Sequence, residues 1–507
     1  MKQWISKFRA QRLRGRLRES GNKAPKGHSN RFTGSSLRLL LGLALWVSVG
    51  VLFYTGRGEH SEELGWALGL ARSELLLMIG TVVAAGLLRV LAPSIFYDSG
   101  RLLLLAMCGL CSVIPADTLL HVRQGLPWLS FSTMEFLIPL TLAPLLAGVL
   151  LGAAAATIVG VWVSYICAIL FNNSLTVLVA GLITTAAAAS MAPHARRRTQ
   201  IIRIGVVVGL AKAAGAIVLL LGHHPPLMPV VVNQVLACLF DGIGSALIVV
   251  TILPLIEALF GLTTNITLRE LSDLSHPLLQ RLAFEAPGTY HHSLMVANLA
   301  QAAADTIGAN PILARVGAYF HDIGKLTKPG FFTENIQGGE NPHDNLAPSM
   351  SALLVMAHVK EGLSLAMLHK LPRAVMDIIQ QHHGTGLVAY FHHKAGRQAE
   401  EAAQERSGRA NTITVDQSPY RYPGPRPVSR EASIIMLADA AEAASRSLEK
   451  PTPVHVGELI DCLVDNRYED NQLDESEMTL AELAKVKQAF VLCLTSMLHS
   501  RIAYPRP

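Results

Sequence analysis

An all-α protein is expected, a polytopic bundle of transmembrane helices followed by a cytoplasmic α-helical domain. Three observations predict it. Half of the 507 residues are hydrophobic and 16% are charged, with a mean hydropathy of +0.36, which excludes a disordered polymer, a collagen and an ordinary soluble globule. Apolar runs dominate from Leu37 to about Phe260 and then give way to the composition of a soluble domain. Beyond that point apolar residues recur at spacings of three and four, the period of an amphipathic helix. Six cysteines in so long a chain exclude a dense disulfide framework.

Residues 1–36 hold ten Lys/Arg against the single acid Glu19 and are expected to form a basic cytoplasmic segment. A transmembrane domain follows over 37–260. An apolar run of about 20 residues crosses the hydrocarbon core as a helix, and eight are read at about 37–55, 72–92, 101–120, 131–150, 152–171, 174–192, 201–221 and 228–259. The fourth and fifth meet at Gly152. The last exceeds a span's length and is expected to lead into the soluble half. The first is expected to be an uncleaved anchor, because its n-region is over 30 residues long. Cytoplasmic loops retain Lys and Arg. With the N-terminus inside, Arg89, Arg101, Arg196, Arg197, Arg198 and Arg203 fall in inner loops, and eight crossings return the C-terminus to the cytoplasm.

Glu74, Asp117, Glu135, Lys212 and Asp241 lie in or near the apolar runs. They are scattered rather than repeated, so helix-packing and interfacial roles are expected ahead of a transport pathway. Cys108 and Cys111 sit in mid-span without a second pair or nearby histidines, which suits small buried residues rather than a zinc or redox site.

Residues 261–285 are expected to be a linker and 286–500 a helical domain, with 397–427 a mobile insertion loop rich in Glu, Gln, Ser and Arg. Ten of the 19 histidines lie between His291 and His393. Their order is Tyr290-His291-His292-Ser293, then His321-Asp322-Ile323-Gly324-Lys325, His358 and His382-His383, with Ala438-Asp439-Ala440 last. Imidazole and carboxylate without cysteine are ligands of Zn, Mn or Fe(II). Asn310-Pro311 is an N-cap followed by proline at the first helical position, opening a helix that carries His321 and Asp322 near its end. Segments near 292–307, 346–368, 372–383 and 430–448 also have helical spacing, and a bundle aims single ligands from several helices at one centre. Adjacent His321 and Asp322 point about 100° apart on a helix, so they serve neighbouring metals only if the carboxylate bridges or the helix ends there.

This ordered His, His-Asp, Asp pattern resembles the HD-domain metal-dependent phosphohydrolases. Glu285-Ala-Pro-Gly-Thr-Tyr-His-His-Ser293, Arg315 to Lys325, Gly338-Gly-Glu-Asn-Pro-His-Asp344, Gln381-His-His-Gly-Thr385, Tyr422-Pro-Gly-Pro425 and Pro254 to Phe260 resemble more narrowly the PgpH-type membrane HD phosphodiesterases. The resemblance covers about residues 37–500. It implies hydrolysis of cyclic di-AMP to 5′-pApA with two divalent ions, Mn2+ or Fe2+, in a multi-pass protein of the bacterial cell membrane. It implies His292, His321, Asp322 and Asp439 around one metal and Asp322, His358, His382 and His383 around the other, with Asp322 bridging. His292 is preferred to His291 because it immediately precedes Ser293. Lys325 suits a phosphate or transition-state contact, His343 and Asp344 are candidates to line a substrate cleft, and Arg421 and Arg426 are weaker phosphate candidates. The family's large extracellular domain has no counterpart between Gly56 and Ala71, only about 16 residues.

Other HD substrates, cyclic di-GMP, ppGpp or a dNTP, and a receptor that binds nucleotide without cleaving it, are the competing readings. Against cyclic di-GMP, Gly384-Thr385-Gly386-Leu387 stands where HD-GYP enzymes carry Gly-Tyr-Pro. The formal charge of +6 comes from the N-terminal segment, since residues 261–507 hold about 22 basic against 27 acidic residues. Duplex nucleic acid is therefore not an expected partner. The expected partners are the cyclic dinucleotide and membrane lipid, which the basic segment would meet at an anionic leaflet, with a homodimer left open.

Overall fold

The computed structural model describes residues 50, 63–122, 130–221, 228–336, 341–407, 414–448 and 452–498. The expected basic segment and, apart from Gly50, the first expected span lie outside the described residues. Within them the named elements are all helical, with one isolated bridge between Leu387 and Arg421. The chain divides into two compact units, one reaching His194 and resuming over Thr199–Leu253, the other comprising Ala195–Arg198 and the chain from Pro254 onward.

The apolar part of the chain forms α1 (Glu63–Leu91), α2 (Pro93–Phe96), α3 (Ser99–Val122), α4 (Phe131–Leu137), α5 (Leu142–Leu151), α6 (Ala153–Leu170), α7 (Leu175–Met191), α8 (Arg198–Leu221) and α9 (Met228–Phe260). Seven segments here are long and apolar enough to cross a membrane, and they coincide with the second to eighth expected stretches. Gly152, at φ +93°, separates α5 from α6, a left-handed conformation that favours glycine. An eighth helix of sufficient length and hydropathy, Pro348–Leu368, lies in the second unit. Its apolarity serves a protein core, where Ala352, Val359 and Ala366 are buried.

The expected span 131–150 is not one helix. It breaks between α4 and α5 at Ile138-Pro139-Leu140-Thr141. Pro139 lacks an N–H and forces the preceding residue out of the helical region, and Ile138 indeed lies at φ −55°, ψ 132°. The carbonyls of Phe136 and Ile138 accept instead from Lys212 Nζ of α8, at 2.9 and 3.1 Å. The same ammonium lies 2.6 Å from Asp241 Oδ2 of α9, and Asp241 also accepts from Thr141 and Ser245. Lys212 and Asp241 are thus not scattered, as their sequence positions suggest, but paired with no exposed side-chain surface. Buried free thiols at Cys108, Cys167 and Cys238 fill space in this unit.

The second unit is built from α10 (Asn265–Leu271), α11 (Pro277–Glu285), α12 (Pro287–Thr306), α13 (Pro311–Phe320), α14 (Pro348–Leu368), α15 (Arg373–Gln381), α16 (Ala389–Ser407), α17 (Arg430–Ser445), α18 (Pro453–Glu469) and α19 (Leu480–Leu498), with short 3-10 turns between α13 and α14. Local chemistry starts several of them. Thr264, Asn310, Ser429 and Thr452 accept first-turn N–H bonds through their side chains, and proline occupies the first turn of α11, α12, α13, α14 and α18, where its missing N–H carries no penalty. Two expectations are corrected. The stretch 261–285 is not a plain linker, because α10 and α11 bury Leu268, Leu278, Leu279 and Leu282 in the same core as Val296 and Phe320. Residues 397–407 of the expected insertion loop continue α16, consistent with their content of Ala, Glu, Gln and Arg, all strong helix formers.

Candidate metal centre

Five helices deliver the histidines and carboxylates to one place. α12 buries His292 and leaves His291 exposed, because adjacent residues on a helix face different directions. α13 ends at Phe320, with His321 as its cap and Asp322 already outside the helix at φ −108°, ψ 14°. That termination lets both side chains turn to the same centre. His358 comes from α14, His382 caps α15 with His383 following, and Asp439 comes from α17. Gly324 lies so close to α14 that an added Cβ would overlap the His358 carbonyl oxygen. Gly324→Ala is therefore expected to force the His321-Asp322 turn off α14 and destabilise the domain by about 1–3 kcal/mol, read as a lowered thermal midpoint; an unchanged midpoint would contradict this close packing.

The donor atoms form two groups. Those of Asp322, His358, His382 and His383 lie within 4.8 Å of one another, as do those of His292, His321 and Asp439. Asp322 divides its oxygens between them. Oδ2 is 3.2 Å from His321 Nε2 and 3.7 Å from His292 Nε2, while Oδ1 is 3.3 Å from His358 Nε2 and 3.7 Å from His382 Nε2. Asp439 does likewise, with Oδ1 3.0 Å from His292 Nε2 and Oδ2 3.6 Å from His383 Nδ1, a second link that the sequence did not suggest. His321 Nε2 and Asp322 Oδ1 are buried without a hydrogen-bond partner. Each such atom costs about 1–3 kcal/mol when left unsatisfied, so the arrangement fits divalent cations among N and O donors.

The electrostatics also suit that charge. Burial would raise Asp322, but His321 and Lys325 outweigh it and hold the carboxyl well below the usual range. Burial would raise Asp439 too, but its hydrogen bond to His292 together with the charges of His383, His292 and His321 lowers it. Burial, with neighbouring His321, brings His382 down to about 3; burial also lowers His358 and, with His382, His383. These three imidazoles are neutral and available as donors. His292 differs. Burial pushes it down, but hydrogen bonds to Asp439 and Glu442 outweigh burial and bring it up to about 9.

Lys325 is held by two carboxylates rather than standing free in solvent. Its Nζ lies 2.8 Å from both Asp322 Oδ2 and Glu334 Oε1 and sits over the Phe332 ring, and these carboxylates overcome burial and push it above the usual lysine value. The four other candidates stand in neither donor group. His343 packs between Phe331 and Phe391 and its Nε2 meets the Phe331 carbonyl at 2.8 Å. Asp344 is exposed beside Lys394. Arg421 forms a two-bond pair with Asp470, and Arg426 lies 3.7 Å from Asp474. Three residues at the centre had no role assigned to them from the sequence. Glu442 meets His292 Nδ1 at 2.5 Å, Glu334 holds Lys325, and Tyr422 stacks on His383 with centroids 4.3 Å apart. Glu442 had a legible signal in its i+3 position after Asp439 on one helix face, and Tyr422 opens the Tyr422-Pro-Gly-Pro425 motif.

Two family models match this chain in succession. One, described as a 7TM receptor with intracellular HD hydrolase, matches residues 67–264, and the HD domain matches residues 289–444. The chain belongs to this seven-transmembrane HD family. It is 36% identical over 379 residues to the cyclic-di-AMP phosphodiesterase PgpH of Listeria monocytogenes, covering 74% of this chain and 51% of that protein. It is 32% identical over 384 residues to the Bacillus subtilis protein of the same name, covering 74% and 52%. The chain thus spans about half the length of the curated relatives it matches. The crystallised HD domain of the Listeria protein in complex with cyclic-di-AMP is 41% identical, with all of that domain and 45% of this chain covered at a TM-score of 0.40.

Proposed function

We propose that this protein is a membrane-bound, metal-dependent phosphodiesterase that hydrolyses cyclic di-AMP to 5′-pApA on the cytoplasmic side of a bacterial cell membrane. The observation that carries the reading is the division of Asp322, one oxygen toward each histidine group. His292, His321, Asp322 and Asp439 would hold one ion, and Asp322, His358, His382 and His383 the second, with Mn2+ or Fe2+ as the ions. Two such ions supply Lewis-acid activation of water and neutralise phosphodiester oxygens during in-line displacement. Water adds to one phosphorus as hydroxyl, the 3′ ester oxygen leaves carrying the other proton, and the ring opens to the linear dinucleotide. Asp322 would be the shared ligand, with Lys325, pinned by Glu334, as its positioning residue. The cyclic di-AMP assignment is supported by the names of the two PgpH relatives.

The purified full chain, supplied with Mn2+ and incubated separately with cyclic di-AMP, cyclic di-GMP and ppGpp, is expected to convert the first preferentially, followed by chromatography. Preferential turnover of either other nucleotide would overturn the substrate, and turnover of none would overturn the enzyme.

His292 adds a pH dependence. With its value up at about 9, it is protonated at neutral pH in the ion-free protein, and a ligand must be neutral, so ion binding displaces a proton. Mn2+ affinity is expected to rise about tenfold per pH unit between pH 7 and 9 and then level off, measured by titration at several pH values. The same raised value stabilises the ion-free fold fully below the unfolded value near 6.5 and is lost as pH climbs through about 9. A flat affinity profile would contradict the assignment of His292 as a ligand.

A further inference from the structure

The histidines of the centre are not supported alike. His321, His358 and His382 each direct Nδ1 at the carbonyl three residues earlier in their own segment, Ala318, Val355 and Ile379, at 2.7, 2.6 and 2.8 Å. These neutral acceptors fix the tautomer that leaves the Nε2 lone pair free for the centre. His383 presents Nδ1 toward Asp439 and is held by its stack on Tyr422. His292 alone among the five has a carboxylate behind it. Glu442 Oε2 meets its Nδ1, while Asp439, one turn earlier on α17, meets its Nε2. Glu442 itself is only 6% exposed, and its other oxygen is engaged by Arg446 Nε and Nη2 at 2.9 and 2.8 Å. That pair leaves Oε2 with a single task.

A carboxylate accepting the distal N–H of a ligating imidazole fixes its orientation and makes it a stronger donor, and loss of such a partner typically weakens metal binding about 10–100-fold. We infer that Glu442 is the positioning residue of the His292 group and makes the two ion sites unequal, so that its removal weakens the ion held by His292, His321, Asp322 and Asp439 and spares the other. The inference rests on the two-ion reading above. It concerns the support of one ligand rather than the chemistry of the reaction.

The test is a Mn2+ titration of the detergent-solubilised full chain, with free Mn2+ followed by electron paramagnetic resonance and thermal unfolding recorded without added ions. The wild type is expected to bind two ions. Glu442→Ala is expected to keep one at wild-type affinity and weaken the other about 10–100-fold. Glu442→Gln, whose amide oxygen still accepts from Nδ1, should recover most of that loss, and Arg446→Met should stay within about threefold of wild type because it leaves the His292 bond in place. Unchanged affinity in Glu442→Ala, or equal weakening of both ions, would overturn the inference. Equal losses in the Ala, Gln and Arg446 variants that track a lowered ion-free melting point would also overturn it, by showing a purely structural ion pair on α17. A wild type that binds fewer than two ions would instead overturn the two-ion reading on which it stands.

Discussion

Asp322→Ala is expected to reduce cyclic di-AMP turnover by about 10³-fold or more, about 4 kcal/mol of transition-state stabilisation, and to lower bound Mn2+ below two ions per chain. Asp439 also reaches both groups, but its Oδ2 stands 3.6 Å from His383, whereas Asp322 approaches each group to within 3.3 Å. Asp322 is 2% exposed, gives one oxygen to each histidine group and receives the ammonium of Lys325. Its loss removes a ligand from both groups at once and leaves Lys325 with Glu334 alone. It also removes negative charge from a site whose His358, His382 and His383 imidazoles are neutral, so the remaining donors hold a dication less well. Metal content by elemental analysis and turnover by chromatography check both halves. Retention of two ions with full turnover would sink the bridging role.

Lys212→Met is expected to destabilise the transmembrane unit by about 3–5 kcal/mol, the usual result of leaving a buried partner uncompensated. Three acceptors depend on that ammonium, the carbonyls of Phe136 and Ile138 at the helix break and the carboxylate of Asp241. No water reaches the hydrocarbon core to replace it, and unsatisfied backbone groups there are costly. The double variant Lys212→Met, Asp241→Asn removes both charges and is expected to recover part of the loss, a coupling that a double-mutant cycle in detergent measures. A single variant within about 0.5 kcal/mol of wild type would show that the pair does not hold the break. The same geometry bears on transport. Exposed carbonyls and a carboxylate at a broken helix are the groups that coordinate cations in transporters, and here a side chain of the protein itself occupies them.

Much of this was legible along the chain. Apolar runs of span length mark the membrane helices because the bilayer demands about 20 residues of one kind in a row, a one-dimensional signal. The seven residues of the two donor groups were readable as candidates because His, His-Asp, His, His-His and Asp recur in order on segments of helical period. Where the reading failed, the determinant lay in three dimensions. Lys212 and Asp241 look scattered along the chain until α8 and α9 bring them together. Residues 261–285 look like a connection until the leucines of α10 and α11 meet the rest of the core. Glu442 is one more acid on a helix until α12 brings His292 to it.

By itself, then, the sequence determined the all-helical, membrane-then-domain order and marked the histidines and aspartates that gather into the two donor groups, because hydropathy and donor type belong to single residues. Tertiary structure alone decided which oxygen of Asp322 faces which group, that Glu442 backs His292, and that Lys212 and Asp241 close a broken span. Those are distances between residues tens to more than a hundred positions apart, and they depend on where helices end and how they pack, which no local pattern encodes.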